Sequence, residues 1–220
     1  MQLITFLIDL FLHLDKHLGA WITQFGAWTY LLIFLVIFVE TGVVIFPFLP
    51  GDSLLFAAGS LAALNKNVSL NVFILYPLLA SAAIIGDNTN YWIGYNIGPR
   101  VFTEKVRFLK KEYLDRAHAF YVKHGAITII IARFMPIIRT FSPFVAGVGR
   151  MPYLRFVVYD LLGGALWTGL FIFGGYFFGN LPFVRDHFSL VVIAIVLISV
   201  SPAVIGIIRS WLKPAVKELA

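Results

Sequence analysis

Long apolar runs separated by short charged connections dominate the chain. Residues 161–184 and 188–208 contain no charged side chain. Each meets the about 20 residues that an α-helix needs to cross the hydrocarbon core of a bilayer. A third run starts at residue 67, stays uncharged to residue 86, meets Asp87 and continues apolar to residue 99. A fourth begins near Trp28 and passes through Glu40. Residues 3–18 read differently, because Asp9, His13, Lys16 and His17 interrupt a Leu, Phe and Ile surface. That is the pattern of an amphipathic helix at the membrane interface, with a short spanning helix as the other arrangement. The same stretch has no basic leading segment, so no cleavable signal peptide is expected.

Two segments fit no simple span: FPFLPGDSLLFAAG at 46–59 and RFMPIIRTFSPFVAG at 133–147. Proline lacks an N–H and clashes with the preceding turn. A continuous helix through Pro47, Pro50 and Gly51, or through Pro136 and Pro143, is therefore not expected. Backbone groups freed by such breaks are tolerated at membrane depth only inside protein or beside a wet cavity. Two re-entrant helical hairpins are the economical reading. The two segments also resemble each other. Each carries at least one ionisable group and ends in Ala-Gly, at Ala58-Gly59 and Ala146-Gly147. Each is followed by a span ending in Gly-Tyr-x-x-Gly, GYNIG at 94–98 and GYFFG at 175–179. This matching order points to an internal duplication.

The positive charges set the orientation. Arg100, Lys105, Arg107, Lys110, Lys111, Arg116 and Lys123 outnumber Glu104, Glu112 and Asp115 between residues 99 and 123. The positive-inside rule puts that connector, and the C-terminal end with Arg209, Lys213 and Lys217, in the cytoplasm. The parity of crossings then closes only if the second hairpin dips in and returns, and the first hairpin enters from the outer side. The expected fold is an all-α integral membrane protein with transmembrane helices and an inverted repeat, a plan that many transporters use. It forms one membrane domain over residues 1–220. Repeat one covers about 28–98 and repeat two about 124–179, with a C-terminal span at 188–210.

Composition agrees: 60% of the 220 residues are hydrophobic and 13% charged, against about 25% charged in a soluble domain. With no cysteine, disulfides, thiolate metal sites and cysteine nucleophiles are excluded. The net charge of +6 does not indicate nucleic acid, because the basic residues sit in connections rather than on an aromatic-laced face.

Glu40, Asp52, Asp87, Arg133, Arg139 and Asp160 lie in or beside apolar runs, where each costs about 2.5–3.5 kcal/mol at a helix centre. Two are positive and four negative, so two carboxylates can pair with the arginines and two are left over. Surplus buried carboxylates take up protons. Arg133 and Arg139 would lie about 120° from facing together on an unbroken helix, but a bend at Pro136 brings both guanidinium groups to one cavity. There they either hold an anion through paired N–H donors or only tie the hairpins together. Glu40 and Asp52 read as proton-coupling groups, as ion-pair partners, or as both. Asp87, in GDNTNYW, either lines a cavity or belongs to a polar seam between helices. Asp160 reads as a snorkelling or interfacial pairing residue. Ser53 and Thr140, beside Asp52 and Arg139, are further candidate substrate contacts. No metal site is expected, since His13 and His17 have the only helical ligand spacing and no third ligand. No other cofactor is indicated.

The segments FVETGVVIFPFLPGDSLLFAAG (38–59), GDNTNYWIG (86–94) and KHGAITIIIARFMPIIRTFSPFVAG (123–147), followed by GYFFG, resemble the DedA family of bacterial inner-membrane proteins. That family shares a domain with eukaryotic lipid scramblases. The resemblance spans nearly the whole chain. It implies a multi-pass protein of the cytoplasmic membrane that recycles the lipid carrier undecaprenyl phosphate, driven by the proton motive force. It also implies functional roles for Glu40, Asp52, Arg133 and Arg139. The expected partners are undecaprenyl phosphate or a related anionic lipid, protons and membrane lipids, with no nucleic acid and with homo-oligomerisation left open. The alternatives are a proton-coupled transporter of another small anion or cation, a general phospholipid scramblase, a lipid phosphatase and a purely structural partner. An enzyme is not expected, because no His accompanies the arginines and carboxylates in sequence to activate a nucleophile.

Overall fold

The computed structural model describes residues 14–42, 51–64, 70–101 and 125–212. Every regular element among them is a helix. Helix α1 is Leu14–Phe25, α2 Trp28–Gly42, α3 Gly51–Leu64 and α4 Val72–Val101. They are followed by α5 Ile127–Ala132, α6 Pro136–Val148, α7 Tyr153–Phe178, α8 Pro182–Asp186 and α9 Phe188–Leu212. Pro47 and Pro50, most of the 99–123 connector and most of the amphipathic 3–18 stretch lie outside the described residues.

Local chemistry sets several boundaries. Gly26 follows α1 at φ +53°, the left-handed conformation that glycine adopts without strain at a helix C-terminus. The Asn71 side chain accepts from the Phe73 N–H at 2.8 Å and caps α4. Met135 is extended, at φ −121° and ψ 103°, because Pro136 disfavours a helical residue before it. The expected break at Pro136 is therefore present, with this proline in the first turn of α6.

Two expectations are corrected. Helix α6 runs without interruption through Pro143, so this residue is not a hairpin break. The carbonyl left without a helical donor by Pro143 is that of Arg139, four residues back; beside it Asn90 of α4 donates to the Thr140 carbonyl at 2.6 Å and ties this turn to α4. The span expected from residue 161 begins instead at Tyr153, directly after Pro152. Counting only uncharged residues misplaced its start, because Asp160 is inside the helix and neutralised there.

Helices α4 (Val72–Ile97) and α7 (Tyr153–Phe178) each offer 26 residues long and apolar enough to cross a membrane. The 14 residues of α3 and 13 of α6 extend only about 20 Å at about 1.5 Å per residue, short of the about 30 Å hydrocarbon core. Each short helix packs on a long one, α3 on α7 and α6 on α4. The two seams are built alike. A Cβ at Gly59 would collide with the Ile172 carbonyl, and one at Gly175 with that of Phe56. In the other seam Gly94 meets the Phe144 carbonyl and Gly147 that of Tyr91. In all four cases the carbonyl belongs to the third residue before the glycine on the facing helix. Only hydrogen-sized side chains let the backbones approach this closely.

The polarity is inside-out for a water-soluble protein. Phe73, Ile74, Leu154, Leu170, Phe177 and Ile198 are among the large apolar side chains at the surface, while Glu40, Asp87, Asn90, Arg133 and Asp160 are buried. Water would penalise both arrangements.

Candidate functional site

The buried charges gather where the ends of short helices meet. Glu40 lies near the C-terminal end of α2, Asp52 in the first turn of α3, and Arg139 near the start of α6. The Arg139 guanidinium spans both acids, with Nη1 donating to Asp52 and Nη2 to Glu40. A carboxylate in the first turn of α3 is also favoured by the positive end of the helix dipole. Any side chain at Gly51 would collide with the Glu40 carboxylate, which accounts for glycine at that position. Asp52 accepts further bonds from the Trp167 indole N–H at 3.0 Å and the Ser199 hydroxyl at 2.7 Å. The Trp167 ring also lies against the Arg139 guanidinium, 4.8 Å from centroid to Cζ.

Arg133 follows α5 directly and forms a second cluster. Its Nη2 pairs with Asp87 of α4 and, at 2.6 Å, with Asp160 Oδ1 of α7. Gly163 and Gly164 open a notch on α7 for the arginine. A Cβ at Gly163 would lie 3.2 Å from Arg133 Cδ, and one at Gly164 3.3 Å from Nη2.

All seven side chains expected to bind substrate or protons are buried: Glu40, Asp52, Ser53, Asp87, Arg133, Arg139 and Thr140. The pairing differs from expectation, because no carboxylate is left over. Each arginine holds two acids, and the two guanidinium groups occupy separate, neighbouring sets rather than one shared grip. Asp160 is 0% exposed and bonded to Arg133, not snorkelling at an interface. It is the main site residue that sequence reasoning misread. The signal was its spacing, since Gly163 and Gly164 lie three and four residues on, the same helical face, and leave room for a large partner. Asn90, in the polar GDNTNYW patch, bonds the Thr41 and Thr140 carbonyls of two other helices, the helix–helix seam that the patch allowed; Trp167, an aromatic inside an apolar run, gave no comparable signal.

Glu40 Oε2, Arg133 Nε and Arg139 Nε are buried with no hydrogen-bond partner among the described residues. Such orphan atoms in a charged, enclosed region are where water or a ligand binds. Replacing Trp167 with phenylalanine keeps a smaller aromatic ring and removes the donor to Asp52. The expected loss is at least about 1.5–3 kcal/mol, the range for a hydrogen bond to a charged group, with the lost buried volume adding to it, read from unfolding in detergent.

Paired charges held inside a helical bundle with an apolar exterior define a membrane protein. Residues 49–177 match the VTT domain family. The chain is 50% identical over 210 residues to the protein named DedA in Escherichia coli strain K12, covering 95% of each. It is 44% identical over 189 residues to an uncharacterized membrane protein, ML0287, of Mycobacterium leprae, covering 84% of this chain and 83% of that one. The inner membrane protein YghB of E. coli K12 is 31% identical over 159 residues, covering 72% of this chain and 71% of that one. No solved structure matches. The chain belongs to the DedA family of VTT-domain membrane proteins.

Proposed function

We propose that this protein is a proton-driven carrier, not an enzyme, that moves undecaprenyl phosphate or a closely related lipid phosphate across the bacterial inner membrane. The observation that carries this reading is the pair of buried arginines, each held by two carboxylates where broken helices meet. Arginine binds phosphate through parallel N–H donors and keeps its charge when buried. The carboxylates occupy the same donors, so phosphate and carboxylate compete for each guanidinium. Protonating Glu40 or Asp52 removes one competitor at Arg139 and favours the phosphate. Losing that proton favours release. The prenyl tail stays in lipid throughout, and only the head group needs a polar route.

The multi-pass, inverted-repeat topology belongs to the same proposal. Helices α3 and α6, too short to span, support two re-entrant hairpins. The matched glycine seams support two repeats related by a pseudo-two-fold axis, each short helix lying on the long helix of the other repeat. The family resemblance supports the inner membrane and the prenyl phosphate.

The test uses purified protein in vesicles holding labelled undecaprenyl phosphate under an imposed pH gradient. Movement of the label is expected to require both the protein and the gradient. Arg139→Lys keeps the charge and loses the fork, and it is expected to lose most of the activity. Full activity in that variant defeats the bidentate grip. Equal movement of neutral phospholipids points to general scrambling, and release of inorganic phosphate to an enzyme.

A further inference from the structure

We propose that Asp87 and Asp160 form a proton-sharing carboxyl pair clamped on Arg133 and connected to the protein surface through Asn88 and Tyr153. This deepens the carrier reading by naming a second proton-holding site, and it rests on that reading only for the use to which the proton is put.

The two arginines handle their acids differently. Arg139 spreads Asp52 and Glu40 over separate nitrogens, Nη1 and Nη2. Arg133 brings Asp87 Oδ2 and Asp160 Oδ1 to the same nitrogen, Nη2. Sharing one nitrogen, the two carboxylates are close neighbours in an enclosed site. If both were ionised they would repel. One shared proton removes the repulsion, as in other buried carboxyl dyads. It also brings the Arg133 cluster from a formal charge of −1 to neutral, as an enclosed site requires.

Among the described residues, a line of polar groups leads out from Asp160. The charged groups gathered around it there are Asp87 from α4 and Arg133 after α5, with Arg139 of α6 in the neighbouring set. Asn88 Nδ2 donates to Asp160 Oδ2 at 3.3 Å, and the Tyr153 hydroxyl donates to Asn88 Oδ1 at 2.8 Å. Tyr153 is 42% exposed, so this line of hydrogen bonds joins a buried acid to the surface at the start of α7. Asn88 and Tyr153 are positioning residues. They orient Asp160 and mark where water meets it, and the proton itself comes from and returns to water.

Infrared difference spectra of the full-length protein in lipid nanodiscs, recorded across pH, report carboxyl groups that hold a proton. Asp160→Asn and Asp87→Asn are each expected to lose the band of one protonated acid, because the remaining carboxylate then pairs one-to-one with Arg133. Glu40→Gln is expected to keep that band. Asp87→Asn supplies the same test from the other helix should Asp160→Asn fail to fold. Tyr153→Phe leaves both carboxyls in place and is expected to slow deuterium exchange of the band several-fold. Retention of every parental acid band in both Asn variants overturns the dyad, and parental exchange in Tyr153→Phe overturns the surface connection. A parent protein that shows the band yet moves no lipid phosphate refutes the carrier and leaves the dyad standing. Transport without the band does the reverse.

Discussion

Arg139→Ala is expected to destabilise the protein by about 3–5 kcal/mol, the range measured when one partner of a buried ion pair is removed. Most of that loss comes from what stays behind. Glu40 and Asp52 remain enclosed with no cation to balance them, and the Trp167 ring loses the guanidinium beside it. The loss is therefore conditional on the acids. Adding Glu40→Gln and Asp52→Asn to Arg139→Ala removes the stranded charges and is expected to recover most of the stability. It is not expected to recover transport. Unfolding in detergent, followed by circular dichroism, measures the first effect, and the vesicle assay measures the second. A single variant as stable as the parent would mean that water reaches these acids freely, contrary to the burial of both.

The neighbouring glycines Gly174 and Gly175 are expected to answer the same substitution in opposite ways. A Cβ at Gly175 collides with the Phe56 carbonyl of α3, whereas one at Gly174 would find its nearest neighbour, Phe56 Cδ2, at 3.9 Å. Gly175→Ala must push α3 and α7 apart, and overpacking of this kind costs about 1–3 kcal/mol or more. Gly174→Ala meets only ordinary contact and gains up to about 1 kcal/mol of helix propensity. The contrast separates close approach from a general intolerance of side chains in the GYFFG segment. Equal losses at both positions would remove the seam as the explanation. Gly147, against the Tyr91 carbonyl in the other seam, is expected to behave like Gly175.

Much of this architecture is legible in the chain because the membrane leaves few choices. Apolar runs long enough to span become helices, as at α4 and α9. Charges inside such runs must pair, and all six do. The Ala-Gly and Gly-Tyr-x-x-Gly repeats could be seen in the sequence, but their pairing across the two halves could not. A glycine records that something comes close, not which helix does. Pro143 was misleading because a proline's local penalty does not reveal whether the surrounding helices hold its own helix in place. Asp160 was misread because a charge near the edge of an apolar run looks interfacial until the helix start is known, and Pro152 moved that start to Tyr153. The division of four acids between two arginines depended on angles between helices that no linear spacing encodes.

The crossed glycine seams bear on how the molecule is made. Helix α3 finds its wall in α7, and α4 finds the partner for Gly94 in α6. While the ribosome has delivered only α1 to α4, Glu40, Asp52 and Asp87 have no arginine, and the grooves around Gly59 and Gly94 face lipid. The early half of the nascent chain therefore waits in the bilayer unfinished, and these non-local contacts place the decisive folding step after synthesis of α7.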